Sequence, residues 1–436
     1  LWDRRWRWRC FSDAATSSSN NTTTDGNPQE TEAPPDGLLM ASAPGLRVVD
    51  IHQPRTLNSL NHDMVRTLEP LFRSWQDPTG DVKAVVFRGG GPIGKAFCAG
   101  NDLGFLYQCV MHDKTEDSNG EGEKASADFL QHLYQTVSHI HQDYPTTFSI
   151  CDGVVMGSGC SIATNSAVSV ATENTFFALP DVGIGGFLPP GGSWFLPRLQ
   201  TAHGGSIGAY LALTGARLMG RDVQAAGITS NFVRAARVEH LEGILAEMAS
   251  QAAVRAQPVN LEVVNTALRS LDSIDQQSLV PPATGWSGDS AAPAESDSQS
   301  DTPEHVSYID QCGAEIEYCF GSATSSYELD VEEIKARVND KAAEQRAAAL
   351  ANAKLGVDPA SQWSDPSEYW AVKAAEELAC ASPMSLAVAL EALRRGVAAE
   401  SLQDCLQEEF RVQKRMLQHP DFLIGAESVF KYVAMR

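Results

Sequence analysis

The spacing of apolar positions changes along this chain, and each change predicts an element. From Leu46, LRVVDI alternates as a half-buried strand does, and VKAVVFRG (82–89) is a continuous apolar run suited to a buried strand. Between them Asn61 stands where a helix N-cap belongs, and Met64, Leu68 and Leu71 recur at helical spacing. The loop GGPIGKAFCAGND follows, then a polar, acidic insertion from Asp113 to Lys124, then a helix in ADFLQHLYQTVSHIHQDY. TTFSICDG predicts a strand, MGSGCSIAT the start of a helix, and SAVSVAT and TFFAL two more strands. Strand, glycine-rich loop and helix repeat in this order to about Gly227, which predicts an α/β fold with a mainly parallel sheet and helical cover. From Val238 onward the period is almost wholly helical, as in SPMSLAVALEALRRG and SLQDCLQEEFRVQKRMLQ. The expected organisation is a core over 44–235 and a helical region over 236–436.

Composition alters that picture at two segments. Residues 1–43 are rich in Ser, Thr, Asn and Pro, and residues 281–303 in Ser, Pro and acids; both are expected to be disordered. The first segment opens on Arg4, Arg5, Arg7 and Arg9 and runs into a Ser/Thr-rich stretch, as mitochondrial transit peptides do. Leu1 is not an initiator methionine, which predicts a processed form or a fragment.

A net charge of −22 and a pI near 4.8 argue against a surface that coats phosphate backbones, so no direct nucleic-acid partner is expected. No apolar run approaches bilayer-spanning length, so no membrane partner is expected either. The nine cysteines form no C-x-x-C pair, which removes the usual zinc and redox motifs, and no metal is expected.

Candidate chemistry lies in three segments: KAFCAGNDL (95–103), DGVVMGSGCSIAT (152–164) and ENTFFALPDVGIGGFLPPGGSWFLPRL (173–199). Small residues at a helix start leave backbone N–H groups unshielded. Two such turns facing one another can aim two amides at a single carbonyl oxygen. Where that oxygen takes on negative charge during reaction, each preorganised donor is worth about 3–4 kcal/mol.

In order and spacing these segments resemble the 3-hydroxyisobutyryl-CoA hydrolase branch of the crotonase (enoyl-CoA hydratase/isomerase) superfamily. YLALTGARLMGRDVQAAGITSNFV (210–233) and the LQEEFR helix extend the likeness to about residue 428. The resemblance implies a crotonase-like ββα spiral core with a helical C-terminal region. It places the oxyanion-binding amides at Asn101 and Ser158, and an acyl pocket near Ala99, Gly100, Gly157 and Leu133. Asp102 falls where it would cap the next helix, and Lys95 and Arg55 where they would meet coenzyme A. The chief catalytic glutamate of the family falls on Asp181, which is one methylene shorter. Two further family acids fall on Pro189 and Leu133, which have no proton to exchange. Ser193 and Tyr134 are the hydroxyls nearest in sequence that could take over protonation of the leaving group.

The resemblance implies a mitochondrial-matrix thioesterase acting on 3-hydroxyisobutyryl-CoA in valine breakdown, with Asp181 as nucleophile or as base for water. No cofactor is expected beyond the coenzyme A of the substrate. The eroded acids also fit a second function, a structural component of the mitochondrial ribosome's small subunit. A hydratase or isomerase ranks third, because the second hydratase acid falls on Ser161.

Overall fold

The chain begins its regular structure with a hairpin. Leu38–Ala43 (β1) pairs antiparallel with Leu46–Ile51 (β2), in the register Leu38↔Ile51 to Ala43↔Leu46, and Gly45 turns the corner at φ +75. The structure, a computed structural model, describes residues 37–92, 94–114, 119–142, 144–276, 307–321, 327–354 and 366–434. Residues 38–43 are therefore a strand, which corrects the expectation that disorder reaches residue 43. Of this edge strand only Leu38 is buried, so its sequence carries little alternation, and pairing with β2 organises it instead. The transit-like segment up to residue 36 and the linker 281–303 lie outside the described residues.

Each later turn of the chain lays one strand in each of two sheets. Ala84–Gly89 (β3) is followed by Ala96–Cys98 (β4), Thr146–Cys151 (β5) by Val154–Met156 (β6), and Val168–Ala171 (β7) by Phe176–Ala178 (β8). With Leu218–Met219 (β9) and Asn231–Phe232 (β10), the sheets run β1-β2-β3-β5-β7-β10 and β4-β6-β8-β9. All pairings are parallel except β1 with β2 and β8 with β9. This is the ββα spiral that the resemblance implied.

Helices fill the crossovers. His62–Trp75 (α1) starts at Asn61, whose side chain accepts the N–H of Met64 at 2.8 Å, as the cap position required. Leu103–His112 (α2) and Glu121–Ile140 (α3) lie between β4 and β5, and Ser158–Asn165 (α4) lies between β6 and β7. Gly192–Phe195 (α5), Gly204–Thr214 (α6) and Arg221–Ala225 (α7) precede β10. The helical region comprises Val238–Val254 (α8), Leu261–Gln276 (α9), Tyr308–Phe320 (α10), Val331–Lys354 (α11), Trp370–Cys380 (α12), Pro383–Ala398 (α13), Leu402–Gln418 (α14) and Pro420–Ala434 (α15).

The larger sheet is covered on both faces. Val85 and Phe87 point into the main core, while Ala84 and Val86 pack with Leu241, Leu245, Val264 and Leu268 of α8 and α9. Burial on both faces explains why β3 is a continuous apolar run rather than an alternating one. Each such Val, Leu or Phe side chain contributes roughly 1.5–3 kcal/mol on burial. The main core runs from Leu38 through the strands to Leu423 of α15, so spiral and C-terminal helices share it. Arg88 at the end of β3 fastens α8 as well, holding Asp50 and donating to Glu242 Oε1 at 2.7 Å.

Candidate active site

Three neighbouring strands of the smaller sheet end at one place. Asn101 follows β4, Ser158 follows β6 and Asp181 follows β8. Gly100 has φ +99 and Gly157 φ +49, conformations that a side chain would strain. A β-carbon on Gly100 would stand 3.0 Å from Met156 O and 3.3 Å from Gly157 Cα and Ser158 N, so the two turns are in contact.

Backbone pairing decides where the amides are free. Leu60 bridges the first turn: its N–H goes to Gly100 O at 2.7 Å, and its carbonyl accepts Asp102 N–H at 2.9 Å. That ladder passes over the N–H of Asn101. Ser158 is the first residue of α4, where the helix has no internal acceptor for its N–H, and Gly157 brings no capping side chain. Among the described residues no protein acceptor takes either amide. Asp102 caps α2 by accepting Phe105 N–H at 3.0 Å, a structural role as expected.

Asp181 sits in a short 3-10 turn, Pro180–Ile184, started by the fixed φ of its proline. A β-carbon on Gly157 would lie 3.9 Å from Asp181 Oδ1, which puts the carboxyl beside the second turn. The residue as a whole keeps partial exposure, yet Oδ2 is shut off from solvent and has no protein partner. Burial pushes its pKa up to about 7, partly offset by its own backbone N–H. Tyr134 on α3 is buried close by. Its phenol is raised well above the ordinary value, first by burial and then by the charges of Glu409 and Asp181. Its hydroxyl has no protein partner, nor do the buried hydroxyls of Ser158 and Ser161.

Not every expected residue joins the site. Leu133 is 1% exposed and part of the main core, and Pro189 is buried with its carbonyl accepting Gly192 N–H at 2.7 Å. Ala99 is half-buried, donating its N–H to Leu57 O at 3.0 Å. Lys95 is half-buried and Arg55 exposed, and neither forms an ion pair among the described residues. Ser193 does not offer its hydroxyl to Asp181, because that group donates to Glu409 Oε1 at 2.6 Å.

Glu409 is the residue that sequence reasoning missed. It is 2% exposed on α14 and also accepts the N–H of Gly191 at 2.6 Å and of Ser193 at 2.8 Å. Burial raises its pKa to about 7, and the Ser193 and Gly191 hydrogen bonds pull the other way. The signal was present: Leu402, Cys405, Leu406, Glu409, Gln413 and Met416 form the buried stripe of α14, with a carboxyl in its middle.

Among the described residues no helix is long and apolar enough to cross a membrane, and no cluster of three or more His, Cys, Asp or Glu side chains could hold a metal ion.

The sequence profile of the enoyl-CoA hydratase/isomerase family matches residues 46–284 and 287–431. This chain belongs to that family. It is 28% identical to a mitochondrial 3-hydroxyisobutyryl-CoA hydrolase of Dictyostelium discoideum, over 87% of this chain and 80% of that protein. It is 35% identical to the Xenopus laevis protein of that name over 53% of this chain, and the match spans only 54% of the Xenopus protein. A Neurospora crassa small ribosomal subunit protein, mS47, is 29% identical over 91% of this chain and 65% of its own length. The solved carnitinyl-CoA dehydratase of Mycobacterium thermoresistibile superposes with a TM-score of 0.62 over 91% of this chain and 90% of its own. At 24% identity that likeness supports the fold.

Proposed function

We propose that this family member is an acyl-CoA thioester hydrolase of the 3-hydroxyisobutyryl-CoA hydrolase type, working in the mitochondrial matrix. The observation that carries the reading is the Asp181 carboxyl, buried with a pKa near 7 beside two turns whose amides are free. The hydrolases among its relatives support the substrate class and a mitochondrial location.

In this reading the thioester carbonyl accepts from the N–H groups of Asn101 and Ser158. The ionised Asp181 takes a proton from water as the water oxygen bonds to the carbonyl carbon, and the carbonyl π pair moves onto the held oxygen. Collapse restores the C=O bond and breaks C–S, with the electron pair leaving on sulfur. Coenzyme A thiolate then takes the proton held on Asp181 or one from solvent, so no second acid is obligatory. Gly100 and Gly157, which bring the two turns together, border the bound acyl group. No cofactor beyond the substrate's own coenzyme A takes part.

The test is turnover of 3-hydroxyisobutyryl-CoA by the full chain, compared with Asp181→Asn. Loss in the variant, with acyl-CoA affinity kept, supports the proposal. A wild-type protein with neither turnover nor acyl-CoA affinity overturns it. Pro189, Leu133 and the mS47 relative favour a second reading, a structural component of the mitochondrial ribosome. Co-sedimentation with the small subunit, set against the turnover result, separates the two.

A further inference from the structure

Glu409 lies on an element outside the spiral, yet its contacts lead back to the site. Its three hydrogen bonds all go to one turn, at Gly191 and Ser193. Gly191 holds φ +78 against α4, where an added β-carbon would stand 3.2 Å from Asn165 Nδ2. Ser158, Ser161 and Asn165 share one face of α4, and each keeps a buried polar side-chain atom without a protein partner. That face runs from the second amide turn to the turn that Glu409 holds. The next residue, Phe410, packs edge-on against the Tyr134 ring with centroids 5.7 Å apart. Helix α14 thus touches the Gly191–Ser193 turn and Tyr134 with consecutive residues.

Charge is essential to this clasp. Three donors converge on one carboxyl, which suits a carboxylate, because a protonated group would point a hydrogen at one of them. The ionisable groups around it are Tyr134 from α3 and Cys405 from its own helix, with Asp181 beyond Tyr134 and Arg198 reaching Cys405. The hydrogen bonds from Ser193 and Gly191 hold the charge against burial.

We infer that Glu409 is a positioning residue of the site: a buried carboxylate from the C-terminal helices that locks the Gly191–Ser193 turn and, with Phe410, holds Tyr134 in place. Its catalytic consequence rests on the hydrolase reading, but the clasp itself does not.

The experiment uses the full chain with Glu409→Gln and, as a milder change, Glu409→Asp. Amide hydrogen exchange over residues 191–195 is read beside kcat and KM for 3-hydroxyisobutyryl-CoA across pH 5–9. In Glu409→Gln at pH 8, exchange there should quicken by about tenfold or more. In the same variant kcat should fall by about tenfold or more, with KM changed by less than about threefold. The acid limb of kcat should pass from two ionisations to one. Glu409→Asp should recover part of the loss, and it serves alone if the glutamine variant does not fold. Unchanged exchange overturns the clasp, and faster exchange with unchanged kcat reduces it to a structural role; either result sinks the inference. If the wild type hydrolyses no acyl-CoA, the hydrolase reading has failed, and exchange together with acyl-CoA affinity decides the clasp separately.

Discussion

Gly100 and Ser158 approach so closely that a β-carbon on the glycine would lie 3.3 Å from the serine amide nitrogen. At φ +99 the same substitution also strains the backbone. Gly100→Ala should therefore cost about 1–3 kcal/mol in stability. The displaced turn should also weaken acyl-CoA affinity. Thermal melts and calorimetric titration check both effects, and a variant with wild-type affinity would place the acyl group elsewhere.

Ser158 offers a way to separate an amide from its side chain. Proline is tolerated at the first position of a helix, so Ser158→Pro removes the N–H while leaving α4 able to form. Turnover should drop by roughly 10²–10³ in that variant, and by less than about tenfold in Ser158→Ala. Equal losses in the two variants would assign the effect to the hydroxyl.

Asp181 makes two linked predictions about pH. As a base it must be ionised, so kcat/KM should rise with pH through about 7. Asp181→Asn should lower kcat by about 10²–10⁴. Stability runs the opposite way. Because folding raises this pKa from 3.8 to about 7, the folded state holds the extra proton between those values. The stabilisation is complete below about 4 and lost as pH climbs through 7. Asp181→Asn should then be more stable than wild type at pH 8, by on the order of 1–3 kcal/mol, with the gap closing near pH 4. Denaturant melts at both pH values test the sign.

Asp102→Ala should cost about 1 kcal/mol through the lost cap on α2. Because its carboxyl is occupied by Phe105 N–H, acyl-CoA affinity should change far less than in Gly100→Ala. A catalytic defect larger than the stability loss would give Asp102 a second role.

The parts legible in the sequence were those with local causes. Asn61 and Asp102 cap helices through their own side chains, and β3 is apolar throughout because two layers cover it. Strand β1 was not legible, since pairing alone orders it and five of its six residues stay at least partly exposed. The two small-residue turns before Asn101 and Ser158 could be read, because each requirement is confined to a few residues, whereas Asp181 was marked only by the family resemblance. Ser193 was misjudged for a non-local reason: its hydroxyl is taken by a residue more than two hundred positions away. Glu409 could have been flagged as a carboxyl within an apolar stripe, but naming what it holds needed the fold.

The strand-end arrangement has one further consequence. Asn101, Ser158 and Asp181 lie two or three residues beyond the ends of consecutive rungs of the smaller sheet, an address that the order of the rungs fixes. The connections between rungs can lengthen without moving that address. Lineages of this architecture can therefore exchange one group at a rung's end, or drop one from a connecting loop, and keep the remaining groups in register.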